Sequence, residues 1–349
     1  MFGIIFIFKK RGKHMKIAVD AFGGDNAPQA VVEGAVQALQ KAQGFSMLLC
    51  GDQVKIAEEL KKHSYDASRV EILHAPDVIG CDEQPTIAIK RKKDSSLVKA
   101  LEALRDRRVD AFVSGGSTGA VLAGATLVVR RLKGVKRPAL APLLPTRKGF
   151  VLLIDCGANV DSKPSYLQQF AVMADAYMRD VVGVGKPRVG LINNGAEEEK
   201  GNELTKAAHQ LLKTTPINFA GNCEARDILS GEFDAVVCDG FIGNVVLKYT
   251  EGLAGTLMGM IKDELMADTR SKFGAALSKK AFLRVKKKMD YTEYGGAPLL
   301  GIDGCVIKAH GSSNAKAFSA AILQAKKFYE ADVNGAIARA VEALPSIED

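Results

Sequence analysis

The sequence predicts an α/β fold in which a largely parallel sheet is covered by helices. Short runs rich in Val, Ile and Leu alternate with amphipathic stretches along most of the 349 residues. Strands that are apolar on both faces are typical of a sheet buried between helices, and regular β-α alternation is typical of parallel strand order. Many of the runs also end in loops rich in Gly, Asn and Asp, at the strand ends where open α/β sheets bind ligands.

The apolar runs predict the strands in order. They are KIAVD (16–20), SMLLCG (46–51), RVEIL (69–73), DAFVS (110–114), FVLLIDCG (150–157), RVGLIN (188–193), INFAG (217–221) and DAVVCDG (234–240). A last strand precedes His310, and helical patterns lie between nearly all the runs. Two helix starts are marked, by Pro28 in a first turn after Asn26 and by Asp94 as the cap of the helix that follows it.

A long helical region without strand signals is predicted at about 245–290. Apolar residues recur there at steps of three and four and form one stripe; they are Val246, Tyr249, Leu253, Leu257, Ile261 and Leu265. A lysine-rich segment follows the stripe. This pattern predicts a protruding helical pair used for dimer packing, membrane-surface contact or partner docking. The alternative is an ordinary core helix beside a solvated neighbour.

The length predicts one domain in two interlocked lobes over residues 15–349, because single cores stop growing near about 250–300 residues. Residues 1–14 place an apolar run before positive charges, the reverse of a secretory signal, and are interpreted as an extension or a misassigned start ahead of Met15. No stretch reaches the roughly 18 uninterrupted apolar residues of a transmembrane helix. We therefore expect a cytoplasmic protein that is at most peripheral to a membrane.

Cysteine spacing and charge limit the classes of partner. No C-x-x-C pair or metal-ligand spacing occurs, so the six cysteines are predicted to be reduced and buried, with no metal site. The net charge of +8 is concentrated at 90–93 and 279–288, which indicates an acidic partner unless these are only solvated helix faces. Tryptophan is absent and no stacking platform is evident, which argues against a nucleic-acid partner.

Three glycine-rich loops are candidates for anion binding. The first, at 20–28, contains Asp20, Gly23 and Gly24; the second, at 114–120, contains Gly115, Gly116, Ser117 and Thr118; the third, at 155–164, contains Asn159. Backbone N–H groups, a helix start and the two hydroxyls of the second loop can hold a phosphate or a developing oxyanion. Each loop can equally be a tight or capped turn, and none matches a Walker A or G-x-G-x-x-G motif.

Three further segments carry candidate catalytic residues. Lys200 and Asn202 stand at the start of a helix, where a lysine adds a point charge to an anion site. Asn244 opens the long helical region and is either a donor to a reacting carbonyl or an N-cap. His310 follows the last strand and is either a base or a structural histidine. No catalytic triad motif is present.

Taken together, these segments resemble the bacterial phosphate acyltransferase family from about residue 15 to residue 336. The motifs are KIAVDAFGGDNAP, RKKDSSLV, SGGSTGA, RPALAPLLPT, DCGANVDSKP, KGNELTK, NFAGNCEARD, CDGFIGNVVLK, YGGAPLLGI and VIKAHGSS. One departure is that Gly116 and Ser117 stand where the family has SAGNTGA, so a carboxamide is replaced by a hydroxyl.

The resemblance implies a three-layer α/β/α fold similar to isocitrate and isopropylmalate dehydrogenases. It implies a homodimer with a cleft between the lobes, no cofactor, and peripheral membrane association. The implied reaction moves a long-chain acyl group from acyl carrier protein to inorganic phosphate, and a membrane glycerol-3-phosphate acyltransferase uses the acyl phosphate for phosphatidic acid. By similarity, Lys200 and Asn244 are the catalytic residues.

The hypothetical mechanism needs no enzyme nucleophile, because phosphate attacks the thioester itself. Lys200 is assigned to phosphate, Asn244 to the oxyanion, and His310 to orienting phosphate or protonating the thiolate. Carrier-protein or membrane contact is assigned to Lys279, Lys280, Arg284, Lys286, Lys287 and Lys288. The rival hypotheses are a β-hydroxyacid dehydrogenase of the same fold, a non-catalytic binder of phosphate or carrier protein, and a nucleic-acid binder.

Overall fold

The computed structural model describes residues 14–289 and 295–345, with backbone only for 286–289. The expectation for residues 1–14 therefore falls almost entirely outside the described residues. Within them, two sheets of seven and five strands carry helices on their faces.

The first sheet begins with the amino-terminal part of the chain. Its elements are β1 (Met15–Asp20), α1 (Gln29–Lys41), β2 (Phe45–Gly51), α2 (Gln53–Leu60), β3 (Val70–His74), α3 (Pro85–Arg91), α4 (Ser96–Arg105), β4 (Ala111–Ser114) and α5 (Thr118–Gly124). The four strands are parallel. The side chains of β1, β2 and β4 are almost completely buried on both faces of the sheet, whereas the edge strand β3 is partly exposed. This burial explains the continuous apolar runs in the sequence.

The chain then crosses to the second sheet through two short strands. The elements are β5 (Ala139–Leu140), β6 (Leu143–Thr146), β7 (Gly149–Ile154), α6 (Pro164–Tyr177), β8 (Val189–Asn193), α7 (Glu203–Thr214), β9 (Phe219–Glu224) and β10 (Ala235–Val237). The strand order is β6-β7-β10-β8-β9, with only β6 antiparallel to its neighbour. The carboxyl ends of β7, β10 and β8 therefore share one edge.

The carboxyl-terminal part returns to the first sheet. After α8 (Gly240–Leu265) and α9 (Thr269–Met289) come β11 (Ala297–Leu300), β12 (Cys305–Lys308), α10 (Ala315–Glu330) and α11 (Val333–Glu342). Strand β12 runs parallel to β4, and the full order is β3-β2-β1-β4-β12-β11-β5. One buried cluster joins side chains of both sheets, including Ile17 and Ile154. Both ends of the chain contribute strands to the first sheet, and the middle of the chain forms the second sheet. Dividing the chain at one position therefore does not separate the two sheets.

The eight predicted strands are confirmed, with ends that differ by a few residues. Strands β5, β6 and β11 were not predicted, because each is at most four residues long and antiparallel. The prediction that Asp94 caps α4 is wrong. The cap is Ser95, whose Oγ accepts from the amide of Val98, while Asp94 forms an ion pair with Lys99.

The predicted helical pair is confirmed as α8 and α9, and the core-helix alternative is wrong for the chain by itself. In α8 only Gly240 and Gly243 are buried, and Tyr249 of the predicted stripe is 69% exposed. Leu253, Leu257 and Ile261 are exposed as well. No helix in the described residues is long and apolar enough to cross a membrane.

Candidate active site

The loops that follow β1, β4 and β12 meet in glycine-to-glycine contact. A Cβ added to Gly23 would overlap the Asp20 carboxylate and lie 2.7 Å from the Gly116 nitrogen. A Cβ on Gly115 would lie 2.7 Å from the Gly23 carbonyl oxygen. A side chain at either position would therefore push the loops apart. Gly23 and Gly115 thus have a packing role in addition to the predicted anion-binding role.

Asp20 is completely buried beneath these loops. Its Oδ2 accepts a hydrogen bond of 2.7 Å from Ser114 Oγ, and that Oγ in turn accepts from the Gly116 amide at 3.0 Å. Burial raises the pKa of the Asp20 carboxyl, although hydrogen bonds from Ser96 and Ser114 oppose the shift. The Gly23 amide donates to the Asp20 carbonyl. The amides of Gly23 and Gly116 thus have partners within their own loops.

Asn244 is held by the tight packing of the start of α8. Asp239 is the N-cap and accepts from the Ile242 amide at 2.8 Å, so the N-cap alternative for Asn244 is wrong. A Cβ on Gly243 would overlap the carbonyl oxygen of Asp155, which places the helix directly against the end of β7. Asn244 follows in the second turn, where its carboxamide makes no hydrogen bond to any residue that the structure describes.

Two other predicted asparagines have structural contacts. Asn159 Nδ2 donates to the Pro138 carbonyl at 2.7 Å and to Asp155 Oδ2 at 2.9 Å. Asn202 is the N-cap of α7, because its Oδ1 accepts from the Thr205 amide at 2.9 Å. These contacts engage the Nδ2 of Asn159 and the Oδ1 of Asn202.

His310 lies immediately beyond β12 and is exposed. Its Nδ1 accepts from the Ser312 amide at 3.2 Å and lies 2.8 Å from Ser312 Oγ. This pattern assigns the proton of the neutral ring to Nε2. Desolvation lowers the pKa of His310, and the nearby Glu251 carboxylate opposes the shift. The ring is therefore mainly neutral at pH 7, with Nε2–H as a donor and Nδ1 occupied by Ser312.

A cavity of about 1030 Å³ lies between the two sheets and along α8. Its polar lining residues are Thr118, Thr146, Arg147, Asn244, Lys248, Thr250, Glu251, Lys308 and His310. Of the cations, Arg147 is exposed and Lys248 pairs with Glu251 at 2.7 Å, whereas Lys308 is buried. Its apolar lining includes Leu140, Leu143, Leu144, Leu247 and Met258. From Asn244 to Met258 the helix rises about 21 Å, and along this length apolar and polar side chains both line the cavity.

Not every predicted residue lines this cavity. Thr118, Asn244 and His310 do, and Lys200 does not. Lys200 lies in the loop after β8, where its carbonyl accepts from Asn193 Nδ2 at 3.0 Å and its stem borders Gly195. The loop is at the same sheet edge as the start of α8, one strand further from the cavity.

The comparison with known sequences decides the family. The family described as fatty acid synthesis protein matches residues 15–336, which are the limits that the sequence motifs predict. A phosphate acyltransferase of Clostridium botulinum (strain Loch Maree / Type A3) is 56% identical over 316 residues, which cover 90% of this chain and 94% of that protein. The chain belongs to this family. It is an acyltransferase.

Solved structures confirm the fold class of this family member. The EutD phosphotransacetylase from Staphylococcus aureus has a TM-score of 0.61 at 16% identity, over 92% of this chain and 95% of that one. A putative 4-hydroxythreonine-4-phosphate dehydrogenase from Salmonella typhimurium has a TM-score of 0.51 at 12% identity, over 90% and 99%. At these identities the likeness concerns the fold alone.

Lys308 is a site residue that the sequence analysis missed. It ends β12 and is only 7% exposed, yet it lines the cavity beside Thr118 and His310. The sequence did contain a signal for Lys308, which ends an apolar strand just before a Gly-containing loop. Lysine is unusual at such a position, because so polar a side chain is seldom buried. In the segment VIK the apolar residues predict a strand, and a chemical role was predicted only for the histidine that follows.

The basic clusters differ in their structural use. Lys279, Lys280 and Arg284 are exposed on α9, while the side chains of Lys286, Lys287 and Lys288 are outside the described part of the chain. In the cluster at 90–93, Lys92 Nζ contacts Glu83 at 2.7 Å and the Val78 carbonyl at 2.8 Å.

Five of the six cysteines are buried, and Cys81 is exposed, contrary to the prediction. No group of three His, Cys, Asp or Glu residues suited to a metal ion occurs among the described residues.

Proposed function

We propose that this acyltransferase moves a long-chain fatty acyl group from the thioester of acyl carrier protein to inorganic phosphate. The observation that carries the proposal is the cavity along α8, which Asn244 and His310 line together with Leu140, Leu143, Leu144, Leu247 and Met258. An acyl chain can be buried against the leucines and Met258 while its thioester carbonyl lies near the polar groups.

The chemistry requires no protein nucleophile. An oxygen of hydrogen phosphate attacks the thioester carbonyl carbon, the tetrahedral intermediate expels the carrier thiolate, and the phosphate proton ends on that thiolate. Asn244 donates to the oxyanion, because its carboxamide has no competing partner among the described residues. Neutral His310 donates from its Nε2–H to an oxygen of phosphate and orients it for attack.

The partners belong to the same proposal. The exposed cations of α9 suit an acidic carrier protein, and the exposed apolar stripe of α8 suits a second copy of the chain or a membrane surface. A membrane glycerol-3-phosphate acyltransferase would consume the acyl phosphate. Sequence resemblance gives the phosphate contact to Lys200, which lies in the loop after β8.

The reaction is tested by measuring free carrier thiol released from a long-chain acyl carrier protein, with and without phosphate. We expect release that depends on phosphate in wild type. Asn244→Ala should lower turnover on the order of 10²- to 10³-fold through loss of an oxyanion donor. Asn218→Ala is the control, because Asn218 does not line the cavity.

Two outcomes would change the proposal. Folded wild-type protein that releases no thiol would remove the reaction itself. Phosphate-dependent release that survives in Lys200→Ala would keep the reaction and remove Lys200 from its centre.

A further inference from the structure

Lys308 stands where the two parts of the cavity wall meet. In the sheet it pairs with Ser114, the last residue of β4, and with Ala297 of β11. Its neighbours along the chain are the cavity-lining Ala309 and His310. A side chain at this position reaches the loop at 114–120 from inside the sheet, whereas the lysines of α9 approach from solvent.

The ammonium of Lys308 has carbonyl partners but no carboxylate partner. Nζ donates to the Gly115 carbonyl at 3.4 Å and to the carbonyl of Ala309. In the described part of the chain it forms no ion pair. Because an ammonium has three N–H donors, one donor is left for a ligand in the cavity.

Burial without an ion-pair partner is energetically costly for this cation. Desolvation lowers the pKa of Lys308 to about 8. A buried charge left unpaired is normally strongly destabilising, and an anion bound in the cavity would offset that cost. The groups whose charges act on Lys308 are Cys81, Asp20, Lys248, Asp25 and His310.

We infer that Lys308 is the cation that binds inorganic phosphate in the cavity. The inference rests on the proposed function for the identity of the substrate. It assigns to Lys308 the contact that sequence resemblance gives to Lys200, because Lys308 lines the cavity with Asn244 and Lys200 does not. Phosphate bound by Lys308 would lie beside Thr118 and within reach of His310, the two polar neighbours that share this part of the wall.

The test measures phosphate binding without turnover. Broadening of the phosphorus NMR line of inorganic phosphate is recorded with wild type, Lys308→Met, Lys200→Met and Lys62→Met, at constant ionic strength. Lys62 is a matched control. It lies just beyond α2, pairs with Glu59 at 2.7 Å and does not line the cavity. We expect Lys308→Met to lose the broadening and the Lys62→Met control to keep it, and Lys200→Met tests the competing assignment.

Kinetics and pH provide independent readouts. The KM for phosphate should rise on the order of 10- to 100-fold in Lys308→Met, as expected for the loss of a charged hydrogen bond. In wild type, phosphate affinity should fall as pH rises above about 8, where Lys308 loses its proton. That fall should be absent from Lys308→Met, and Lys308→Gln serves if the methionine variant does not fold.

The outcomes separate this inference from the proposed function. Wild-type thiol release together with unchanged phosphate binding in folded Lys308→Met, and binding lost in Lys200→Met, would overturn the inference alone. Phosphate binding that needs Lys308 in a wild-type protein without thiol release would uphold the inference and overturn the proposed reaction.

Discussion

At the scale of single residues, the site combines buried and exposed side chains. Lys308 and Asp20 are buried, whereas Asn244 is exposed at the start of α8. Ser114 links Asp20 to the Gly116 amide, so the carboxyl holds the loop rather than neutralising the lysine directly. Lys308 is therefore a residue whose position costs stability and is explained by function.

This cost gives a prediction for stability against pH. The folded pKa of Lys308, about 8, is below the unfolded value of about 10.4. Below pH 8 both states are protonated and the full penalty applies; as pH rises towards 10.4 the folded state loses the proton first, so the free energy of unfolding rises. We expect Lys308→Met to be more stable than wild type at pH 7, on the order of 1–3 kcal/mol.

Urea unfolding of both proteins between pH 7 and 10, without phosphate, measures this difference. The advantage of Lys308→Met should shrink as pH rises, because the penalty in wild type disappears. A methionine variant less stable than wild type at pH 7 would show that the ammonium has a structural role instead.

At the scale of elements, α8 connects the reacting groups to the apolar cavity. Its first turn is fixed by Asp239 and by Gly243 against Asp155, and later turns present Leu247 and Met258 to the cavity. The rest of the helix packs little against the sheets. The first turns of α8 therefore fix the position of Asn244, and the later turns supply the apolar surface of the cavity.

Two alanine substitutions in α8 test this division. Gly243→Ala should destabilise the fold by about 1–3 kcal/mol and lower turnover, because the new Cβ overlaps the Asp155 carbonyl and displaces Asn244. Gly252→Ala meets nothing within 4 Å and should stabilise the helix by up to about 1 kcal/mol. Urea unfolding and thiol release compare the two, and equal effects would contradict the assigned role of the first turn.

At the scale of the whole molecule, positive charge and apolar surface are concentrated on the α8 and α9 pair. Replacing Lys279, Lys280 and Arg284 with Glu should raise the KM for acyl carrier protein about tenfold at low salt. The KM for phosphate should not change, because these three side chains lie on the surface. Initial rates at two salt concentrations test this, since added salt should reduce the difference. An unchanged carrier KM would assign docking to another surface.

The sequence by itself determined the family, the positions of eight strands along the chain and the helical pair. Apolar runs and helical periodicity are local signals, and ordered motifs over residues 15–336 identify the family. The same signals identified Asn244 and His310 but gave no measure of their separation. They could not show the short antiparallel strands, whose pairing depends on distant parts of the chain.

Only the tertiary structure decided which polar residues share the cavity. Strand pairing places Lys308 next to Ser114 across 194 positions of the chain, and local contacts keep Asn159 and Asn202 as a turn residue and a helix cap. Lys200 and Asn244 look equivalent as motif residues, but they follow different strands of one sheet. The physical reason is that burial and pairing depend on what lies across the sheet, which no local pattern in the sequence specifies.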